Sequence, residues 1–368
     1  MRLRGVVGAS ASAVTACAFA GFAIAAEPYA GKPRIDDDGT VHVPAYELPF
    51  FSLASPEARA LTILKLRTPP AKLPPNPTIA DLRKAKADGT DARRLVAMTA
   101  KYKFDLVEQR IGKVLTQVFT PKAGIAPKNR ERVLVNMHGW GFNTGAMTTS
   151  QAESIPFAVI GQIKVVSIDY RMAPEAHYPA ASQDVAAVYR ELLKTYKPSS
   201  IAFYGCSAGG HLTAQSMAWF QTHGLPTPAA AGVFSSGVGF IKGGDSLRVT
   251  SRMGSVLPDE NPAAPPSTSP MDYFLGADRK DSALDPLASP AVLAKFPPTI
   301  LMTGTRAGDL SKVIWSHRAL VKAGVDARMV LWDGVDHCFI SEGELPESRE
   351  AVEIAVRFFD DAMDKAAR

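Results

Sequence analysis

Cysteine is scarce in this sequence, with three among 368 residues, at positions 17, 206 and 338. Small secreted folds that depend on disulfides carry a much higher share of cysteine, so a disulfide framework does not explain how this chain folds. We expect Cys206 and Cys338 to be small packed thiols, because buried thiols are the more frequent case. A disulfide between them stays open as the alternative in an oxidising compartment.

Clustered charge is also missing. Charged residues make up 21% of the chain, and the formal net charge of +5 falls to +3 when Arg2 and Arg4 are set aside. The remaining Lys and Arg residues are scattered, which argues against a nucleic-acid partner. No internal repeat and no long linker is visible in the sequence. With 46% hydrophobic residues, the chain can bury a large core.

Charge is absent from a long stretch near the N-terminus. Two arginines are followed there by an uncharged run of roughly 20 residues, which ends in small residues around Ala25 and Ala26. This pattern predicts a signal peptide over residues 1–26 and an exported, periplasmic or secreted protein with no stable membrane insertion after cleavage. Two alternatives stay open, namely a membrane anchor formed by the same run and lipid attachment at Cys17.

The rest of the chain divides by its hydrophobic pattern. Residues 27–112 are Pro-rich and then helical in pattern, which predicts an N-terminal segment with cap helices, one of them capped by Ser55. From residue 113 to residue 368, short β-branched runs alternate with longer amphipathic segments. This alternation predicts an α/β catalytic domain with a mostly parallel sheet and helices on both faces. A Pro-rich insert at 243–283 is predicted to be a cap or lid.

Seven runs read as strands and three longer segments as helices. The predicted strands are KVLTQVFTP, RVLVNMHG, KVVSIDY, SIAFYG, AAGVFSSG, PTILMTG and ARMVLWDG. The predicted helices are AASQDVAAVYRELLKTY, the run from Gly209 to Thr222, and SKVIWSHRALVKAG. Ligands of such sheets bind at the carboxyl ends of the strands. Five residues with possible chemical roles fall there: His138, Asp169, Ser207, Asp309 and His337.

The stretch YGCSAGGH places Ser207 among small residues, directly after an apolar strand. A serine hydroxyl is a poor nucleophile unless it is exposed, rigidly aimed and close to a base. GCSAG fits the pattern GxSxG, in which glycines two before and two after the serine let a strand and a helix approach closely. The pattern predicts a nucleophilic Ser207, and the alternative is a glycine-rich bend with an incidental serine.

A second glycine-containing loop, HGWGF, follows the strand RVLVNM. Attack on an ester carbonyl places negative charge on oxygen, which needs fixed N–H donors on a loop that can come close. We expect the amides of Trp140, Gly141 and Ala208 to form such an oxyanion hole. We expect His138 to brace the loop rather than transfer protons. An ordinary turn is the alternative for this motif alone.

Several motifs together resemble the hormone-sensitive-lipase-like family of α/β-hydrolases. YRMAPE followed by PAASQDV is similar to the family's YRLAPE and PAAxxDV. HGWG stands where the family has HGGG, GCSAGG where it has GDSAGG, DPLASP where it has DPLxSP, and HCF where it has HGF. The matches follow the family's order from about residue 112 to the C-terminus. The resemblance implies an α/β-hydrolase fold with an N-terminal helical cap, Ser207 as nucleophile and His337 as general base.

The acid of the implied triad is displaced in this sequence. Family members often have GTRDxxxS, whereas this chain has GTRAGDLSK, with Ala307 at the position of the aspartate. Because only contact with the imidazole Nδ1–H is required, we expect Asp309 to supply the carboxylate. An incomplete triad stays open. Asp336 is a poorer candidate, since adjacent side chains on a loop seldom face one another.

These motifs predict a serine carboxylesterase that acts on small or short-chain acyl esters through an acyl-enzyme, with no metal and no organic cofactor. His138, Phe142 and Phe339 are candidate residues of the substrate pocket, and the bulk of Trp140 predicts a preference for short acyl chains. Two alternatives stay open: a deacetylase or amidase on the same fold, and an impaired hydrolase scaffold that only binds. The sequence leaves the oligomeric state and the natural ester undetermined.

Overall fold

The chain consists of two units. The computed structural model describes residues 31–45, 47–50, 53–257 and 267–368. The smaller unit, Met1–Phe51, contains an antiparallel pair formed by β1 (Arg34–Ile35) and β2 (Val41–His42). The predicted signal peptide over 1–26 and the alternative lipid site at Cys17 lie outside the described residues, so both stay predictions.

The larger unit, Ser52–Arg368, is built around an eight-stranded sheet. Its strands are β3 (Phe104–Ile111), β4 (Val114–Pro121), β5 (Val133–Met137), β6 (Lys164–Ile168), β7 (Ile201–Cys206), β8 (Ala230–Phe234), β9 (Thr299–Gly304) and β10 (Ala327–Trp332). Their order across the sheet is β10-β9-β8-β7-β5-β6-β4-β3, and only β4 runs against the others. The predicted α/β fold class and all seven predicted strands are confirmed.

The helices lie before, between and after these strands. They are α1 (Pro56–Arg67), α2 (Ile79–Lys86), α3 (Ala92–Lys101), α4 (Thr149–Gly161), α5 (Ala180–Leu192), α6 (Ala208–Thr222), α7 (Asp245–Ser251), α8 (Pro290–Leu293), α9 (Leu310–Lys322) and α10 (Pro346–Ala366). As predicted, Ser55 caps α1, where its hydroxyl accepts a hydrogen bond from the Ala58 N–H at 3.1 Å. Within the described ranges, no helix is both long enough and apolar enough to cross a membrane.

Hydrophobic residues alternate between the two faces of the sheet. On β5, Val133 and Val135 belong to one core cluster and Leu134 belongs to the other. The first cluster includes side chains of α5, α6 and α9, and the second includes side chains of α4 and α10. Because neighbouring strand residues point to opposite faces, the central strands are covered by helices on both sides.

The boundary predicted at residues 112 and 113 is wrong. It divides a hairpin, because β3 pairs with β4 along its whole length, from Phe104 opposite Pro121 to Ile111 opposite Val114. The turn consists of Gly112 and Lys113, with φ of 59° and 70°. Two successive positive φ angles are typical of the tight turn that matches the twist of a hairpin. The sheet therefore begins at residue 104, after α3.

The predicted insert at 243–283 contains α7 and lies beside the carboxyl end of the sheet. The hydroxyl of Ser246 donates to the Gly308 carbonyl at 2.8 Å, and the hydroxyl of Ser255 donates to Asp336 Oδ1 at 3.0 Å. Residues 258–266 lie outside the described part of the chain. The use of this insert as a lid stays a prediction.

Candidate active site

The turn between β7 and α6 holds Ser207 in a strained backbone conformation, with φ of 57° and ψ of −121°. A Cβ atom added at Gly205 would lie 2.3 Å from the Met137 carbonyl oxygen, and one at Gly209 would lie 1.8 Å from it. Only glycine fits at such distances, so the predicted close approach of strand and helix is confirmed. Strain of this kind at an isolated serine is typical of the strand-to-helix turn that exposes a nucleophile.

His337 lies in the loop after β10, and its Nδ1 is 2.6 Å from Asp309 Oδ1. Asp309 ends the loop after β9 and is 2% exposed. Its second oxygen accepts a hydrogen bond from the Thr303 hydroxyl at 2.7 Å. The carboxylate thus fixes the imidazole by one nitrogen and leaves Nε2 as the nitrogen that can exchange a proton.

The position of the family's aspartate is occupied by Ala307, whose side chain is fully buried. The loop turns there, since the Leu310 N–H donates to the Ala307 carbonyl at 3.2 Å. This turn brings Asp309 to the imidazole from two residues further along the chain. Asp336 is engaged elsewhere: its Oδ1 accepts from the backbone N–H of His337 at 2.7 Å and from the Ser255 hydroxyl at 3.0 Å.

A disulfide joins Cys206 to Cys338, with Cα atoms 6.0 Å apart. The expectation of two free packed thiols is therefore wrong. Sequence alone does not give the distance between two residues that are 132 positions apart. Because neighbouring Cα atoms are about 3.8 Å apart, the bridge places the Cα atoms of Ser207 and His337 within about 14 Å of each other.

The loop after β5 lies against the turn that carries Ser207. A Cβ atom added at Gly139 would lie 2.9 Å from the Cys206 carbonyl oxygen and 3.5 Å from the Ser207 Cβ. Trp140 and Gly141 have φ of 79° and 63°, which gives the loop its sharp path beside the serine. Ala208 is the first residue of α6, where an N–H has no acceptor within the helix. The three predicted oxyanion donors therefore belong to two segments that are in contact.

His138 braces this loop, as predicted. Its Nδ1 lies 2.9 Å from the Gly139 carbonyl oxygen, and its ring stacks on Tyr170 with centroids 4.4 Å apart. The Tyr170 hydroxyl donates to the His138 carbonyl at 2.7 Å. Full burial lowers the pKa of His138 to about 4, so its imidazole is neutral at physiological pH.

The two aromatic candidates for the substrate pocket are packed side chains. Phe142 is 4% exposed and stacks on Tyr273 with centroids 4.7 Å apart. Phe339 is 3% exposed and packs against Trp332 at 5.2 Å. Trp140 differs from both, because it is 39% exposed. Contact between these side chains and a substrate stays a prediction.

Three other histidines, which follow no strand directly, pack against distant parts of the chain. His177 Nδ1 lies 3.1 Å from the Asp272 carbonyl oxygen, and His317 Nε2 lies 3.2 Å from that of Ala327. His211 is buried against the rings of Phe240 and Phe274. Across the described part of the chain, no group of three or more His, Cys, Asp or Glu residues is arranged to hold a metal ion.

Glu153 is a buried residue of the site that the sequence motifs do not indicate. Its side chain accepts hydrogen bonds from the Gly139 N–H at 3.0 Å and from Asn136 Nδ2 at 3.1 Å. A hydrogen bond with the backbone of Cys206 favours the charged form of this carboxyl. Burial raises the pKa of Glu153 from 4.5 to about 7. Glu153 thus connects the loop of Gly139 to the turn of Ser207, but it lies within α4, outside the motifs that the sequence analysis singled out.

The N-terminal helices also contact the loop of Trp140. Lys86 Nζ lies 3.9 Å from the centre of the Trp140 ring. Asp91 pairs with Lys86 and accepts a hydrogen bond from the Thr149 hydroxyl at 2.9 Å. Burial lowers the pKa of Lys86 to about 8. The end of α2 therefore contacts the indole directly, through Lys86.

The comparison with protein families matches residues 134–341 to a family described as having the alpha/beta hydrolase fold. Among curated proteins, an acetyl-hydrolase of Streptomyces hygroscopicus is 27% identical over 273 residues, which cover 73% of this chain and 89% of that protein. The versiconal hemiacetal acetate esterase stcI of Emericella nidulans is 29% identical over 115 residues, or 31% of this chain and 39% of that protein.

Solved structures give the same fold. The crystal structure of an esterase, E25, is 26% identical, has a TM-score of 0.72, and covers 87% of this chain and 98% of its own. An esterase described as a member of the bacterial hormone-sensitive lipase family is 24% identical with a TM-score of 0.68, covering 84% and 99%. The matched range of the family model includes the positions of Ser207, Asp309 and His337. The resemblance read from the motifs is confirmed.

Proposed function

Because the chain belongs to the alpha/beta-hydrolase-fold family, we propose that it is a serine carboxylesterase that hydrolyses short-chain acyl esters through an acyl-enzyme. The observation that carries this proposal is the 2.6 Å contact between His337 Nδ1 and Asp309 Oδ1, on a loop bridged to the turn of Ser207. A buried acid that orients an imidazole, on a loop joined to the turn of a strained serine, is consistent with the arrangement that activates a hydroxyl nucleophile.

In the first half of the reaction, the Ser207 hydroxyl attacks the ester carbonyl while His337 Nε2 takes its proton. Asp309 holds the ring and stabilises the imidazolium that forms. The N–H groups of Trp140, Gly141 and Ala208 donate to the oxyanion of the tetrahedral intermediate. Collapse of this intermediate expels the alcohol, which receives the proton from His337.

In the second half, water replaces the alcohol. His337 takes a proton from the water as it attacks the acyl carbonyl of the ester at Ser207, and the same amides bind the second oxyanion. Collapse of that intermediate releases the carboxylic acid and returns the proton to Ser207. This chemistry moves protons and acyl groups only, so the residues named here complete the cycle.

The acyl group is proposed to be short. Trp140 stands in the oxyanion loop at the position where the family resemblance has glycine, and Lys86 supports its ring from the cap side. A fixed indole at this position takes up volume beside the acyl chain. The names acetyl-hydrolase and hemiacetal acetate esterase of two relatives agree with acetyl esters as substrates. A deacetylase on the same fold is thus the second candidate.

Export through the predicted signal peptide is part of the proposal. The disulfide between Cys206 and Cys338 supports it, because structural disulfides persist mainly in oxidising compartments.

Active-site labelling tests the proposed chemistry. Purified enzyme is treated with a fluorophosphonate probe, and hydrolysis of p-nitrophenyl acetate, butyrate and octanoate is measured in parallel. We expect one label per chain and faster turnover of acetate and butyrate than of octanoate, with both activities lost in Ser207→Ala. Ser236→Ala is the matched control, because Ser236 is a buried serine after the neighbouring strand β8. Unchanged labelling of Ser207→Ala would refute the proposal.

A further inference from the structure

The disulfide has an unusual place relative to the proposed catalytic pair. Cys206 is the residue directly before Ser207, and Cys338 is the residue directly after His337. The bridge therefore connects the backbone that carries the nucleophile to the backbone that carries the base. Both half-cystines are buried, at 1% and 8% exposure.

The disulfide matters because the strand before His337 and the strand before Ser207 are not neighbours in the sheet. In the sheet, β10 is separated from β7 by β9 and β8. Neighbouring strands lie about 4.8 Å apart, so β10 and β7 are about 14 Å apart. His337 follows β10 by only a few residues, yet it must reach the serine at the end of β7. Its loop has to fold back across two strands.

Two hydrogen bonds hold this loop to the nearer strands. Asp309, which binds the imidazole, follows β9. The Cys338 N–H donates to the hydroxyl of Ser235, directly after β8, at 3.0 Å. The disulfide provides the covalent link that continues to β7 itself. The bridge therefore joins the loop that carries the base to the strand that carries the nucleophile.

We propose that the Cys206–Cys338 disulfide positions His337 against Ser207, so that hydrolysis depends on the oxidised state of this pair. This inference rests on the proposed function. A displacement of about 1 Å between reacting groups can reduce a rate about 100-fold. The cysteines are positioning residues, because they act through the serine and histidine next to them and do not touch the ester.

The redox step is a balanced thiol–disulfide exchange. Glutathione disulfide oxidises the two thiols to the bridge and is itself reduced to two molecules of glutathione, with two electrons and two protons transferred. Thiol titration before and after this treatment counts the pair as a difference of two thiols per chain. The count is independent of whether Cys17 is present.

The test compares full-length enzyme purified under reducing conditions with the same preparation after oxidation by glutathione disulfide. We expect kcat for p-nitrophenyl acetate and the rate of fluorophosphonate labelling to rise at least about tenfold as two thiols disappear, with KM changed less than about twofold. If the bridge only stabilised the fold, reduced enzyme that circular dichroism shows to be folded would have the same kcat and the same KM as oxidised enzyme. Equal kcat before and after the loss of two thiols per chain would overturn the proposal.

A variant pair provides the independent arm. Cys206→Ala/Cys338→Ala should have the low kcat of the reduced enzyme and should not respond to oxidation. Val188→Ala is the matched control for lost stability, because Val188 is fully buried in α5 and belongs to none of the segments described in the site. If the oxidised wild type neither hydrolyses esters nor takes the label, the proposed function fails. An active wild type with an equally active double variant contradicts the positioning role alone.

Discussion

Three residues of the proposed triad come from the ends of three different strands. Ser207 was predictable because GxSxG follows an apolar strand, and His337 because its motif is the last in the family order. Asp309 was predictable only as a candidate, since it lies two residues after Ala307, which occupies the position of the family's aspartate. Its contact with the His337 ring depends on the turn at Ala307, which the sequence pattern does not specify.

Asp309→Asn tests the displaced acid. The amide keeps the shape of the side chain but presents no charge to the imidazole, so kcat for p-nitrophenyl acetate should fall about 10²- to 10⁴-fold. Asp336→Asn is the control, because Asp336 is next to His337 in sequence but binds backbone N–H and Ser255. We expect that variant to lose less than about tenfold. A larger loss of kcat in Asp336→Asn than in Asp309→Asn would show that Asp309 is not the acid of the triad.

Trp140→Gly tests the limit on acyl length. Removal of the indole restores the glycine that the family resemblance has at this position and opens space beside the acyl chain. The ratio of kcat/KM for octanoate to that for acetate should rise at least about tenfold, since each buried methylene contributes about 0.8 kcal/mol. The exposed Trp315 on α9 provides the control variant Trp315→Ala. An unchanged ratio would show that the indole does not set chain length.

At the scale of elements, the site depends on how closely three segments approach one another. The turn before α6 lies against the end of β5, and α4 supplies Glu153, which binds the loop between them. The glycines of the first contact are visible in the sequence as part of GxSxG. Glu153 is not visible, because the one acidic residue of α4 has no motif to mark it.

Gly209→Ala tests the approach of α6 to β5. The new Cβ would lie 1.8 Å from the Met137 carbonyl oxygen, so the backbone must shift. We expect a loss of at least about 2 kcal/mol in the free energy of unfolding, together with loss of labelling at Ser207. Gly89→Ala is the matched control, because nothing lies within 4 Å of its added Cβ. Urea unfolding measures both, and equal stabilities would contradict the packing described.

Glu153→Gln tests the buried carboxyl through pH. Because burial raises its pKa from 4.5 to about 7, the folded state favours the protonated acid. This contribution to stability is complete below about pH 4.5 and is lost as the pH rises through about 7. The uncharged variant should therefore gain stability relative to wild type between about pH 5 and about pH 8, by up to about 3 kcal/mol.

Urea unfolding at about pH 5 and about pH 8 measures the difference in the free energy of unfolding between variant and wild type. Glu131→Gln is the control, since Glu131 is an exposed glutamate outside the site. A relative stability of Glu153→Gln that falls as the pH rises would contradict the raised pKa of Glu153.

At the scale of the whole molecule, the order of elements was predictable and long-range pairings were not. Alternating β-branched and amphipathic segments predicted the sheet from β4 to β10 and the helices α5, α6 and α9, whereas α4, α7 and α8 were not predicted. Strand β3 was missed because half of its sequence, FDLVEQRI, is polar and its side chains are largely exposed at the sheet edge. The disulfide was not expected, because it depends on a fold that brings residues 132 positions apart into contact.

Trapping the acyl-enzyme tests the central claim most directly. Enzyme turning over p-nitrophenyl acetate is quenched in acid within the first turnover, digested and examined by mass spectrometry. The account predicts one acetyl group per chain, on the Ser207 hydroxyl, which accumulates when Asp309→Asn slows deacylation and is absent in Ser207→Ala. Hydrolysis of the ester with the peptide of Ser207 unmodified, or with the acetyl group on another residue, would contradict it.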